Sequence, residues 1–180
     1  MQYTLTYKAP IGSLLLAGDE TGLTGLWMKG GKYFADTLGA EYKEMETPIL
    51  KDAKRWLDIY FSGREPEFMP PLHLSGSPFR MMVWDILKRI PYGNTMTYGE
   101  ISFLAAEKMG KSRMSAQAVG NAVGHNPVSI LVPCHRVIGA GGSLMGYAGG
   151  VDKKAALLML EGVEFKDEEH VDIKKYQWEC

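Results

Sequence analysis

Asn126-Pro127-Val128-Ser129-Ile130-Leu131-Val132-Pro133-Cys134-His135-Arg136-Val137-Ile138 is the most informative stretch of this chain. An apolar run, Ile130-Leu131-Val132, ends at a proline, and a cysteine, a histidine and an arginine follow at once. Cysteine attacks as thiolate, and a neighbouring imidazole and guanidinium are the groups that lower a thiol's pKa. The plainer alternative is a buried small hydrophobe beside a hydrogen-bonded histidine. Cys134 is one of two cysteines, and the other, Cys180, is the last residue. Two such cysteines make no disulfide framework, so a reduced, cytoplasmic protein is expected.

On the C-terminal side lies a glycine-rich loop, Gly139 to Gly150, between a strand-like run and a helix. Its spacing fails the dinucleotide pattern, and no Gly-Lys-Ser/Thr follows, so a phosphate-cradling loop is excluded. Absent side chains would instead let the backbone close over a flat ligand. Asp152 is positioned to cap a helix over Lys153–Glu161, which Gly162 ends. Residues 163–180 read as an acidic tail without a motif.

On the N-terminal side the pattern predicts short helices. Ser77-Pro78 starts one that runs to about Ile90, and Pro91-Tyr92-Gly93-Asn94 is a turn. Thr97 and Glu100 form a capping box for a helix from Tyr98 to Met109. A second short helix spans about Ser115 to Gly124. The pair, joined by Gly110-Lys111-Ser112-Arg113-Met114, fits a helix-turn-helix, although many helical hairpins never meet DNA. The small residues Ala116, Ala118, Gly120, Ala122 and Gly124 suit close approach to either a neighbouring helix or a groove. Both readings stay open.

The first third has a different character. Residues 2–8, 12–18 and 22–28 read as strands separated by turns, and 49–62 as an amphipathic helix presenting Leu50, Ala53, Trp56, Leu57 and Tyr60. Glu65 to Pro78, with four prolines, is a candidate linker. The net charge of −1 conceals a division: residues 76–162 carry 9 basic and 5 acidic residues, a net of +4, between acidic ends. That is weak support for an anionic partner. No apolar run reaches the roughly 20 residues needed to span a bilayer, and the N-terminus lacks a signal peptide's basic and apolar regions, so no membrane partner is expected.

The segment from Asn126 to Ile138 closely resembles the active-site signature of the O6-alkylguanine-DNA alkyltransferases, also called methylated-DNA–protein-cysteine methyltransferases. The resemblance covers residues 77 to 162 well and the N-terminal part loosely. It implies an α/β (α+β) protein in three parts. Residues 1–75 would form a small mixed β-sheet domain with a helix. Residues 76–162 would form a mostly helical domain with a winged-helix-like helix-turn-helix, and 163–180 the tail. The implied reaction moves an alkyl group from O6 of guanine, and as an open possibility from O4 of thymine, in double-stranded DNA to the protein's own cysteine, once. By the same resemblance Cys134 is the nucleophile, His135 takes its proton through a water molecule, and Glu161 orients His135. Tyr98 donates to the extruded guanine. Asn126 ties the helix-turn-helix to the active-site segment, Val137 offers a backbone carbonyl, and Tyr147 and Ala148 cover the base. Arg136 belongs with these substrate-side residues as a structural and electrostatic element.

One position departs from the family pattern. The second helix commonly carries an arginine that fills the vacated base stack, and here Gln117 stands there, with Arg113 four residues earlier as a substitute. No cofactor is implied. His73, His125, His135 and His170 show no metal-ligand spacing with the cysteines, so no metal is expected. A monomer suffices for the chemistry. Two other classes remain: a cysteine hydrolase using Cys134, His135 and Glu161, and a lesion binder of the same fold, whose mark would be a replaced cysteine.

Overall fold

A computed structural model describes residues 1–178; Cys180 lies outside the described residues. The chain divides into two compact units. One comprises Met1–Ser75 with Pro127–Leu131, and the other Gly76–Asn126 with the chain from Val132 onward. Among the described residues no helix is long and apolar enough to cross a membrane.

In the first unit the alternating segments form β1 (Gln2–Ala9), β2 (Gly12–Gly18) and β3 (Leu23–Met28), an antiparallel meander. A short strand that the sequence pattern did not reveal, β4 (Tyr42–Glu44), pairs parallel to β1, giving the order β3-β2-β1-β4 and a mixed sheet. All three of its residues are exposed, so it has no hydrophobic alternation to read. Helix α1 (Pro48–Phe61) starts at Thr47, whose side chain accepts from the Leu50 amide, and buries Leu50, Ala53, Trp56, Leu57 and Tyr60. Burying each large apolar side chain is worth about 1.5–3 kcal/mol, which fixes the helix to the sheet. Tyr7 Oη donates to Asp58 at 2.7 Å.

The outer edge of β3 does not face water unpaired. Leu23 N–H donates to the Pro71 carbonyl at 2.7 Å, and His73 N–H returns a bond to Leu23 at 2.8 Å. Farther along, Leu26 N–H donates to Pro127 at 2.8 Å and Ser129 N–H to Leu26 at 3.1 Å. Residues 127–131, read from sequence as part of the C-terminal domain, therefore belong with the first unit. Satisfying an exposed strand edge is the physical reason.

The second unit is built on α2 (Pro78–Leu87), α3 (Tyr98–Lys108) and α4 (Ala116–Gly124). The capping box at α3 is complete: Glu100 N–H donates to Thr97 Oγ1 at 3.1 Å and Thr97 N–H to Glu100 at 2.8 Å. Helix α4 packs on its partners through Val119, Ala122 and Val123, and Trp84 Nε1 donates to the Ala122 carbonyl at 2.9 Å. A Cβ added at Gly120 would meet nothing within 4 Å, so internal packing does not require that glycine. A two-residue parallel pair, β5 (Met96–Thr97) with β6 (Val137–Ile138), joins the start of α3 to the segment after Arg136.

Helix α5 (Val151–Leu160) begins at Gly150, with φ 102° and no side-chain cap. Asp152, expected as the cap, instead sits in the first helical turn, where its charge favours the helix dipole. The acidic C-terminal stretch is not featureless. It forms β7 (Phe165–Asp167), β8 (His170–Val171) and α6 (Ile173–Tyr176). Their apolar residues were scattered too thinly among charges to register as a pattern.

Candidate active site

Two tight backbone turns deliver Cys134. Leu131 N–H donates to Ser129 at 2.9 Å around Ile130, whose φ is +72°. A β-branched residue in the left-handed region is strained, typically by about 1–3 kcal/mol. Cys134 N–H then donates to Val132 at 2.8 Å around Pro133. Asn126 braces the approach: its Nδ2 donates to the Val132 carbonyl at 2.7 Å, and the side chain is buried. Cys134, His135 and Arg136 follow as a single 3-10 turn, all buried.

Glu161 lies at the C-terminal end of α5, 6% exposed. A carboxylate there opposes the helix dipole and is costly to bury alone. Four donors offset this. His135 Nε2 lies 2.5 Å from Oε2; Arg136 Nε donates to Oε1 at 2.8 Å and Nη2 to Oε2 at 3.2 Å; Gly93 N–H donates to Oε1 at 2.9 Å. Gly93 has φ +75°, and a Cβ there would approach the Glu161 carbonyl to 3.1 Å, so the turn needs glycine. Arg136 completes its set by donating from Nη1 to the Ile90 carbonyl at 2.7 Å. The guanidinium therefore faces inward onto Glu161.

The electrostatics follow from these contacts. Burial works to raise the Glu161 carboxyl, but His135 and Arg136 together hold it well below the usual carboxylate range. Burial pushes the His135 imidazole down; the charge and hydrogen bond of Glu161 oppose this, while Arg136 and Lys154 reinforce it. With the proton on Nε2 and Glu161 ionised, Nδ1 is the basic nitrogen.

Tyr98, the first residue of α3, donates from its hydroxyl to the Gly146 carbonyl at 3.2 Å. Burial, and then the charge of Cys134, push its pKa up to about 12. Tyr147 buries its hydroxyl; burial first, then the charge of Cys134, raise it well above the ordinary phenol. Ala148 follows in the same loop, half-buried, and Val137 is fully buried in β6. Gln117 and Arg113 are exposed. Arg113 lies in the loop before α4 and not on a helix, so helical spacing does not carry it onto the face of Gln117. Gln117 and Asn121 instead line a groove of about 500 Å³ together with Arg80, Ser77 and Ser115.

Lys154 is a residue that the motifs did not flag. Its side chain is fully buried and its Nζ has no hydrogen-bond partner among the described residues. The ammonium lies 5.9 Å from the centroid of the Tyr98 ring, and burial lowers its pKa to about 8 against the pull of Cys134's charge. A sequence signal existed: Lys154, Leu157, Leu158 and Glu161 fall at the spacing of one helix face, which put an ionisable residue in core register. Among the described residues no group of three or more histidine, cysteine or acidic side chains could hold a metal.

Residues 1–74 match the 6-O-methylguanine DNA methyltransferase ribonuclease-like domain, and residues 78–163 match the DNA binding domain of the same family. A methylated-DNA–protein-cysteine methyltransferase of Methanosarcina acetivorans is 46% identical over 89% of this chain and 98% of its own length. One of Mycolicibacterium paratuberculosis is 47% identical over 87% and 90%. The crystal structure of Mycobacterium tuberculosis OGT in complex with DNA superposes with a TM-score of 0.76 at 43% identity, covering 88% of this chain and 92% of that one. At this identity and coverage, the chain belongs to the 6-O-methylguanine DNA methyltransferase family, the methylated-DNA–protein-cysteine methyltransferases.

Proposed function

We infer that this protein repairs DNA by transferring the alkyl group of O6-alkylguanine to the sulfur of its own Cys134, once and irreversibly. The sealed contact of His135 with Glu161, one residue from the buried Cys134, carries this reading. The thiol proton passes to His135 Nδ1 through a water molecule, and Glu161 stabilises the imidazolium that forms. The thiolate attacks the alkyl carbon in line: the S–C bond forms, the C–O6 bond breaks, and guanine leaves with the electron pair. Tyr98, holding its proton firmly at neutral pH, exchanges its bond to Gly146 for one to the guanine and steadies the departing charge. A thioether has no ready hydrolytic exit, so one protein molecule repairs one lesion.

The partner in this reading is alkylated double-stranded DNA, from which the base is extruded at a cost of a few kcal/mol. Helices α3 and α4 serve as the helix-turn-helix, with Gln117 on the outer face of α4 directed to the stack. Val137, Tyr147 and Ala148 surround the base, and Asn126 couples α4 to the nucleophile's segment. Residues 1–75 with 127–131 make up one domain, the rest of 76–162 the other and 163–180 the tail, and the protein works as a monomer in the cytoplasm.

Mass spectrometry after exposure to an O6-methylguanine duplex tests the assignment. One methyl on Cys134, with no further turnover, is the expected result. Repeated turnover with unmodified Cys134 would assign a hydrolase, and tight binding without transfer a lesion binder.

A further inference from the structure

We propose that residues 164–178 are a positioning strap that fixes both walls of the base site, an inference that rests on the alkyl-transfer reading above. These residues lie past the stretch matched by the family's DNA-binding domain, which ends at residue 163. One wall is Tyr98 at the start of α3, and the other is the loop carrying Gly146, Tyr147 and Ala148. The two meet at the hydrogen bond from Tyr98 to Gly146.

The strap grips the first wall three residues before Tyr98. Thr95 is fully buried, and its N–H and Oγ1 both donate to the Tyr176 carbonyl, at 2.8 and 3.3 Å. Trp178 N–H donates back to the Thr95 carbonyl at 2.8 Å. Gln177 Nε2 donates to Glu100, the residue whose other carboxylate oxygen closes the capping box of α3. Thus the strap reaches the helix end that presents Tyr98.

It grips the second wall two residues before Gly146. Leu144 N–H donates to the Glu169 carbonyl at 3.0 Å, and Ser143 pairs with His170. Gly142, at φ +89°, passes so close to the strap that a Cβ would lie 2.2 Å from the Val171 carbonyl oxygen. The side chains agree with the backbone: Ile138, Leu144 and Leu158 share a buried cluster with Val163 and Val171, flanked by Phe165, Ile173 and Tyr176.

The need for such a strap follows from the loop's composition. Residues 139–150 include six glycines, and glycine loses more conformational freedom on ordering than any other residue. A loop of this kind does not hold a wall in place by itself. Backbone bonds and a shared apolar cluster supply what its own side chains cannot. The strap contributes no group to the thiolate, so it governs capture of the base and leaves the reactivity of sulfur alone.

Full-length Val171→Asp and Trp178→Pro test this, with Val171→Ile as the conservative control. For each, transfer from free O6-benzylguanine is followed against its concentration, and carbamidomethylation of Cys134 by iodoacetamide against pH. Release of the strap raises the half-saturating benzylguanine concentration about tenfold, equivalent to about 1.4 kcal/mol of binding, in both variants. The iodoacetamide pH profile stays in place and Val171→Ile behaves as wild type. Unchanged half-saturation overturns the proposal. So does a shift of the iodoacetamide profile alongside the loss, because the strap would then be supporting the fold at large. Wild-type protein that leaves Cys134 unalkylated sinks the alkyl-transfer reading itself, whereas a reactive wild type with indifferent variants sinks only the strap.

Discussion

His135 Nε2 and Glu161 Oε2 lie 2.5 Å apart with both side chains closed to solvent, and Arg136 holds the same carboxylate from its other side. Glu161 is therefore the anion that opposes the lowering of a buried imidazole. In Glu161→Gln the raising influence on His135 disappears while burial still lowers it. The base weakens, less thiolate forms, and the rate–pH profile of transfer moves to higher pH. Single-turnover rates across pH check this, and an unchanged profile would return Glu161 to a purely structural part.

Arg136 is tied to the same pair by stability. Removing one partner of a buried ion pair leaves the other uncompensated, at a cost of about 3–5 kcal/mol. Arg136→Met should lower stability by that order in denaturant titration. The pH dependence has a definite sign. The Glu161 carboxyl is depressed in the folded protein, so its contribution is full above the unfolded carboxylate pKa of about 4.3 and is lost as pH falls below it toward the folded value. Arg136→Met should show a shallower loss through that acid range than wild type.

Lys154 works in the opposite sense. A lysine whose pKa falls from 10.5 unfolded to about 8 folded costs about 3 kcal/mol of stability at neutral pH. The unfolded chain binds the extra proton between pH 8 and 10.5, so this cost is relieved as pH rises through that window. Lys154→Met should be more stable at pH 7 and lack the gain between pH 8 and 10.5. The same variant should alkylate more slowly, because an ammonium that acts on the Cys134 charge has gone. A variant that is both stabilised and fully active would show the burial to be idle.

Ile130 offers a test of strain. Glycine in place of alanine normally costs about 0.5–1 kcal/mol, but at φ +72° the ordering reverses. Ile130→Gly should be the more stable of Ile130→Gly and Ile130→Ala, although it removes more atoms. Thermal melts of the two variants decide it, and the ordinary order would mean that the turn relaxes without its side chain.

Much of this site was legible in the chain because its elements carry local signatures. Thr97 with Glu100, and Ser77 before Pro78, announce helix starts that the structure shows as capping hydrogen bonds. The Cys134-His135-Arg136 run is continuous, so its three side chains needed no long-range pairing to be seen together. What escaped depends on partners distant in sequence. Strand β4 is exposed and is a strand only because β1 lies beside it. Glu161, read by itself, is an ordinary helix-end carboxylate, and only the fold brings it to residues 25 and 26 positions earlier. The strap's grip runs through backbone groups, which every residue has and no composition reveals.

Gln117 lies on the exposed side of α4, where the family resemblance leads to the expectation of an arginine, and that expectation has a consequence. If Gln117 fills the vacated stack as a neutral plug, Gln117→Ala lowers repair in duplex DNA much more than transfer from free O6-benzylguanine. The free base pays no extrusion cost and needs no plug. Gln117→Arg should tighten duplex binding and steepen its salt dependence by about one phosphate equivalent, since each neutralised phosphate releases its counterion. Arg113 lies in the loop before the helix, so Arg113→Ala should weaken duplex binding at low salt and spare the ratio of duplex to free-base rates. Single-turnover rates for the three variants on both substrates separate these outcomes. Equal losses on duplex and free base in Gln117→Ala would place residue 117 in the chemistry or the fold and end the plug account. A larger duplex loss at Arg113 than at Gln117 would hand the plug to the arginine, despite its position outside the helix.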